Sequence, residues 1–136
     1  WEMTATDKSN EALKIAKLNT HNEINFYCGD WFDAVPDEKF DLIVSNPPYI
    51  DDHDPHLDNL KYEPLEALIS GSNGLDDIRI IINESPKYLK EGGYLLLEHG
   101  FNQQKEIIGL LKESFFNINT YKDLNNIDRA VLAQYK

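Results

Sequence analysis

Apolar positions along this chain change period several times, and each change marks an element. Residues 1–6 alternate in strand fashion and end at Asp7. Ser9 then caps a helix whose apolar positions Ala12, Leu13, Ile15, Ala16 and Leu18 recur at helical spacing. A second strand runs from Glu23 to Cys28 and stops at Gly29-Asp30-Trp31. The third, Lys39 to Ser45, reads as buried and leads into Asn46-Pro47-Pro48-Tyr49. A polar stretch from Asp51 to Glu66 has no clear period, and a loop of that length inside a domain is usually functional. Gly74 precedes a helix over about Leu75 to Leu89, with Ile78, Ile81, Ile82 and Leu89 on one side, which Pro86 should kink or shorten. Gly92-Gly93 marks a turn into the strand Tyr94 to Glu98, and a helix follows from about Asn102 to Ser114. Two extended segments, Phe116 to Asp123 and Arg129 to Tyr135, finish the chain and read as an antiparallel edge pair. Strands alternating with helices predict an α/β fold with a mostly parallel sheet.

Composition narrows the setting. With 13 basic and 24 acidic residues the formal charge is −11, which disfavours non-specific binding to nucleic acid or anionic membranes. Between Asp30 and Asp77 only Lys39 and Lys61 are basic, so this stretch presents an acidic face suited to solvent or to a basic partner. The single cysteine, Cys28, excludes an intramolecular disulfide, fits a reducing compartment, and reads as a buried structural thiol within an apolar strand. No apolar run approaches membrane-spanning length and no signal segment is evident, so a soluble cytoplasmic protein is expected. The spacing of His53, His56 and His99 makes no zinc site, and ordinary loop histidines are expected at each.

The chemistry concentrates at strand ends. Asn46 offers a side-chain amide at the carboxyl end of the third strand, where open α/β sheets bind ligands. Pro47 and Pro48 stiffen the loop and set the direction of its carbonyls, while Tyr49 adds a flat ring. A planar NH2 group could donate to the Asn46 side-chain oxygen and the Pro47 carbonyl, with its nitrogen lone pair left free to attack. Asp7 is placed to accept both hydroxyls of a ribose, or equally to cap the following helix. Asp30 suits an adenine amino group and Trp31 an apolar wall; alone, each is more often a turn aspartate or a core aromatic. Together with Asn46 they put polar groups at three successive strand ends, as a nucleotide-cofactor site needs. Glu98, at another strand end, suits a backbone cap or a pocket wall. A glycine-rich turn ahead of Asp7 is missing, so the chain is expected to be the carboxyl-terminal part of a longer protein.

These residues resemble a known family. Thr4-Ala5-Thr6-Asp7, Asp30-Trp31-Phe32 and Val44 to Ile50 look like motifs of S-adenosylmethionine-dependent amino methyltransferases. Asp54-Pro55-His56-Leu57, Tyr62 to Leu68, Leu96-Leu97-Glu98-His99-Gly100 and Asp128 to Leu132 bring the likeness to the HemK/PrmC family, glutamine methyltransferases of peptide chain release factors. Asn-Pro-Pro-Tyr alone is shared with methyltransferases acting on DNA, RNA and protein; its combination with the Glu-Pro-Leu and Leu-Glu-His-Gly stretches is far more specific. The resemblance implies a Rossmann-like, seven-stranded methyltransferase sheet with the last strand inserted antiparallel. Residues 1–136 would be a partial catalytic domain lacking its first strand, glycine motif and amino-terminal substrate-recognition domain. It also implies S-adenosylmethionine held by Asp7, Asp30, Trp31 and Asn46, a substrate amide held by Asn46, Pro47, Pro48 and Tyr49, and a release factor as partner. The alternatives are an adenine N6 methyltransferase on nucleic acid, against which the acidic loop argues, and a non-catalytic module of the same fold.

Overall fold

The computed structural model describes residues 2–21, 23–53 and 64–136. The chain divides into two compact units, Trp1–Glu38 and Lys39–Lys136.

In the first unit, β1 (Met3–Asp7) pairs in parallel with β2 (Ile24–Cys28), from Met3 opposite Ile24 to Asp7 opposite Cys28. Helix α1 (Asn10–Asn19) connects them, and the Ser9 hydroxyl accepts from the Ala12 amide, the cap expected from sequence. Only Leu13 of its apolar positions is buried; Ile15 and Leu18 are exposed. Cys28 is also exposed, correcting its reading as a buried thiol. The reason is that β2 has a single strand neighbour among the described residues; the Cys28 Sγ donates to the Lys8 carbonyl at 3.5 Å.

The second unit contains a four-stranded sheet in the order β3, β4, β6, β5. These strands are β3 (Phe40–Ser45), β4 (Leu89–Glu98), β5 (Phe115–Lys122) and β6 (Asp128–Tyr135). β3 and β4 are parallel, while β6 runs antiparallel to both β4 and β5. The last strand is therefore internal, and only β5 of the expected edge pair lies at the edge. Helices α2 (Asp76–Glu84) and α3 (Gln104–Leu111) supply the apolar cover: Ile78, Ile81, Ile82, Ile107 and Leu111 are buried. On the sheet, Leu95 pairs with Ala133 and Leu97 with Val131, and all four are buried, so alternate positions of β4 and β6 share one core face. The Phe115 and Tyr135 rings close its end, 5.9 Å apart.

Three boundaries differ from expectation. The helix ends at Glu84, because Pro86 lies in a 3-10 turn, Ser85–Lys87, and Leu89 already belongs to β4. Gly92-Gly93 lies inside that strand, not before it, at the irregularity where Phe40 pairs with Leu89 but Leu42 with Tyr94. A Cβ on Gly93 would stand 2.9 Å from the Lys90 carbonyl oxygen, so the bulge admits only glycine there. β3 is an edge strand and is not fully buried, with Leu42 and Val44 exposed. Among the described residues, no helix is long and apolar enough to cross a membrane.

Leu95→Ala should destabilise the protein by about 2–5 kcal/mol in urea unfolding, whereas Leu124→Ala, at a fully exposed position, should stay within about 0.5 kcal/mol. Equal effects would mean that the β4–β6 face is not the core.

Candidate functional site

The loop Asn46-Pro47-Pro48-Tyr49 leaves the carboxyl end of β3 with Asn46 exposed, Pro47 buried, and Pro48 and Tyr49 half-buried. The two prolines that follow fix the backbone, and with Pro47 buried the Asn46 side chain is the polar element facing solvent. Immediately beyond, Ile50 forms a parallel bridge with Ile69: the Ile50 amide donates to the Leu68 carbonyl at 2.9 Å, and the Ser70 amide to the Ile50 carbonyl at 3.0 Å. The loop is thereby stitched to a segment some twenty residues further on in sequence.

Its strongest anchor is Gln103. The side-chain amide of this nearly buried residue donates to the carbonyls of Tyr49 (2.9 Å), Gly74 (3.2 Å) and Asn73 (3.3 Å), while its oxygen accepts from the Gly100 amide at 2.9 Å. One planar group satisfies backbone from three segments. The packing leaves no slack. Gly74 has φ +68°, and a Cβ there would lie 2.2 Å from the Tyr49 carbonyl oxygen.

The Tyr49 side chain is held as firmly. Its hydroxyl donates to Glu98 Oε1 at 3.1 Å, and Arg129 Nη1 donates to it from the other side at 3.4 Å. Burial, and then the Glu98 carboxylate, raise the Tyr49 pKa above its ordinary 10.0, with Arg129 opposing. Glu98 holds the Tyr49 hydroxyl through this contact. His99 is fully buried, unlike an ordinary loop histidine; its Nδ1 lies 2.9 Å from the Gly100 carbonyl, which makes Nδ1 the protonated nitrogen. A cavity of about 370 Å³ opens beside Tyr49, lined also by Asp51, Phe101, Asn102, Glu106 and Arg129.

Asp7, Asp30 and Trp31 belong to the first unit, and Asn46 to Tyr49 to the second. Within the first unit, the Gly29 amide donates to the Asp7 carbonyl at 3.1 Å, so Asp7 and the Asp30 turn share the carboxyl end of the two-stranded sheet. The Asp7 Oδ1 accepts from the Ser9 amide at 2.7 Å, a local turn just ahead of α1, while the helix cap itself is Ser9. Trp31 has φ +42°, a left-handed conformation unusual for a bulky side chain and one that clusters at binding sites. Asp54 to Leu57, Tyr62 and Glu63 lie outside the described residues. No cluster of metal-ligating side chains occurs among the described residues. Gln103 escaped sequence reading altogether. The only local signal is a glutamine where an apolar helix begins, three residues after Gly100.

The family model of the methyltransferase small domain matches residues 1–128. A release factor glutamine methyltransferase of Coxiella burnetii is 47% identical over 98% of this chain and 50% of its own length. That of Pseudomonas aeruginosa is 39% identical over 99% of this chain and 51% of its own length. The chain therefore spans about half the length of the curated relatives it matches, and the likeness read from its motifs is borne out. Among solved structures, ribosomal protein L11 methylase from Lactobacillus delbrueckii subsp. bulgaricus superposes with a TM-score of 0.68 at 20% identity, covering 99% of this chain and 58% of that one. The N-methyltransferase NodS from Bradyrhizobium japonicum, in complex with S-adenosyl-l-homocysteine, gives 0.62 at 18% identity over 98% of this chain and 65% of that one. At such identities these structures establish the fold, a Rossmann-like methyltransferase architecture.

Gln103→Leu keeps the volume but orphans three carbonyls and one amide, and should cost at least about 2 kcal/mol of stability in urea unfolding. A loss below about 0.5 kcal/mol would remove Gln103 as the anchor. A second test concerns pH. Because the folded pKa of Tyr49 is raised, its contribution is complete below pH 10.0 and is lost as pH rises through the folded value. Stability measured from pH 9 to 11 should therefore fall more steeply in the native protein than in Tyr49→Phe; parallel curves would refute the linkage.

Proposed function

The chain belongs to the methyltransferase small domain family, and from that premise we propose that its protein methylates the side-chain amide of glutamine in peptide chain release factors, with S-adenosylmethionine as donor. The observation that carries this reading is the anchored loop. Asn46 lies exposed at a strand end, Pro47 is buried behind it, and the Tyr49 carbonyl that ends the motif is pinned by Gln103. Relatives bearing that activity by name align with almost the whole chain.

The first unit fits the cofactor in donor chemistry. Asp7 and Asp30 are exposed carboxylates at one sheet end, suited to the ribose hydroxyls and the adenine amino group, and Trp31 offers an apolar ring in a left-handed turn. S-adenosylmethionine supplies a methyl group already activated on a sulfonium. The protein's own task is then to present the nucleophile. An amide nitrogen is a poor nucleophile because its lone pair is delocalised into the carbonyl. The Asn46 side-chain oxygen and the Pro47 carbonyl accept its two N–H groups, which orients the nitrogen and increases its electron density. Tyr49 packs against the amide plane and excludes water. The amide proton leaves to solvent after transfer. An acidic stretch beside this loop suits a basic protein surface better than a phosphate backbone, and one unpaired cysteine suits the cytoplasm.

Asn46→Ala should lower kcat for methyl transfer to a glutamine-bearing release factor by about 100-fold or more, with S-adenosylmethionine affinity changed by less than about threefold. Asp7→Ala should instead weaken S-adenosylmethionine binding by about tenfold or more in calorimetry. Methyl transfer to unpaired adenine in place of glutamine, under competition, would sink the reading.

A further inference from the structure

We infer that Arg129 is a positioning residue for Tyr49, through which the β5–β6 hairpin sets the geometry of the amide-holding loop. The inference rests on the reading of that loop given above. Arg129 stands 80 positions from Tyr49 in sequence, as the second residue of β6, and its guanidinium meets three elements at once. Nη1 donates to the Tyr49 hydroxyl at 3.4 Å and to the His99 carbonyl at 3.3 Å, while Nη2 lies 3.5 Å from Asp123 Oδ2. The guanidinium carbon is 5.9 Å from the Tyr49 ring centroid, within cation–π range. Ring and hydroxyl are therefore gripped by one planar group. A lysine ammonium has no such fork.

Both ends of the chain of contacts are rigid. At the far end, the Asp123 carboxylate accepts from the Asn125 amide at 2.8 Å and the Ile127 amide at 3.0 Å, closing the hairpin turn. Those backbone donors, the Ile127 amide foremost and then that of Asn125, with Arg129 beside them, hold its carboxyl below the usual range. At the near end, the His99 amide donates to the Arg129 carbonyl at 2.9 Å, fixing its backbone to the end of β4. Glu98 completes the arrangement by accepting a hydrogen bond from the Tyr49 hydroxyl. The phenol thus donates to a carboxylate and accepts from a cation, which leaves its ring one orientation about the loop axis. Losing Arg129 leaves the Glu98 contact alone and lets the ring tilt away from the substrate slot.

The test is a double-mutant cycle. In Arg129→Gln, kcat for glutamine methylation should fall about tenfold or more, with S-adenosylmethionine affinity unchanged. Arg129→Lys should not restore it. In a Tyr49→Phe background, which lacks the hydroxyl that Arg129 grips, Arg129→Gln should cost markedly less, because the two residues act as one unit. Additive losses would overturn the proposal. An independent readout is the titration of the Tyr49 phenol, followed by NMR of 13C-labelled tyrosine and assigned with Tyr49→Phe. Among the described residues, the charged groups facing it are Glu98 and Arg129, with Asp123 behind Arg129, and Asp51 and Glu106 also line the cavity. Arg129→Gln should move the midpoint up, and Glu98→Gln should move it down. An unmoved midpoint in Arg129→Gln also overturns the proposal. If the unaltered protein methylates no glutamine, the functional reading fails by itself, and the titration still decides whether Arg129 holds Tyr49.

Discussion

A single side-chain amide, that of Gln103, ties the second unit's site together. Backbone carbonyls turned inward at Tyr49, Asn73 and Gly74 would each cost about 1–3 kcal/mol if left without a donor. Gln103 satisfies all three and takes the Gly100 amide on its oxygen. That one group lets a loop after β3, the approach to α2 and the turn into α3 meet. Gly74 follows from the same constraint, since any Cβ there would collide with the Tyr49 carbonyl.

Around that node the electrostatics are local and paired. Tyr49 sits between Glu98 and Arg129, Arg129 leans on Asp123, and Arg79 pairs with Glu106 at the cavity rim. None of these pairs is fully buried, so each gains little in stability by itself. Their value is directional. Every contact fixes an angle on a ring or a loop, and the proposed alignment of a weak amide nucleophile would depend on such angles more than on acid–base power.

The first unit carries the residues proposed for the cofactor. Its two parallel strands bring Asp7 and the Asp30–Trp31 turn to one end, and the close approach of Gly29 to Ala34, where a Cβ would fall 2.6 Å away, permits the tight reversal. Its apolar helix positions Ile15 and Leu18 stay exposed, so periodicity there reported amphipathic character but not burial. The same holds for β3, whose Leu42 and Val44 alternate as in a core strand yet belong to a sheet edge.

Much was legible from sequence because it depends on near neighbours. Alternation at period two, the Ser9 cap, the stiff Asn46-Pro47-Pro48-Tyr49 loop and the acids after β1 and β2 are local chemistry, and the motif residues together were enough to resemble the family that the comparisons established. What sequence could not decide was everything that depends on which distant segments meet. The Gly92-Gly93 bulge within β4, the exposure of Cys28 and the buried state of His99 each follow from neighbours chosen in three dimensions. Gln103 and Arg129 are the plainest cases. Their partners lie 54 and 80 positions away, and a polar side chain carries no mark in sequence of the carbonyl or phenol it will meet; only the tertiary structure brings donor and acceptor together.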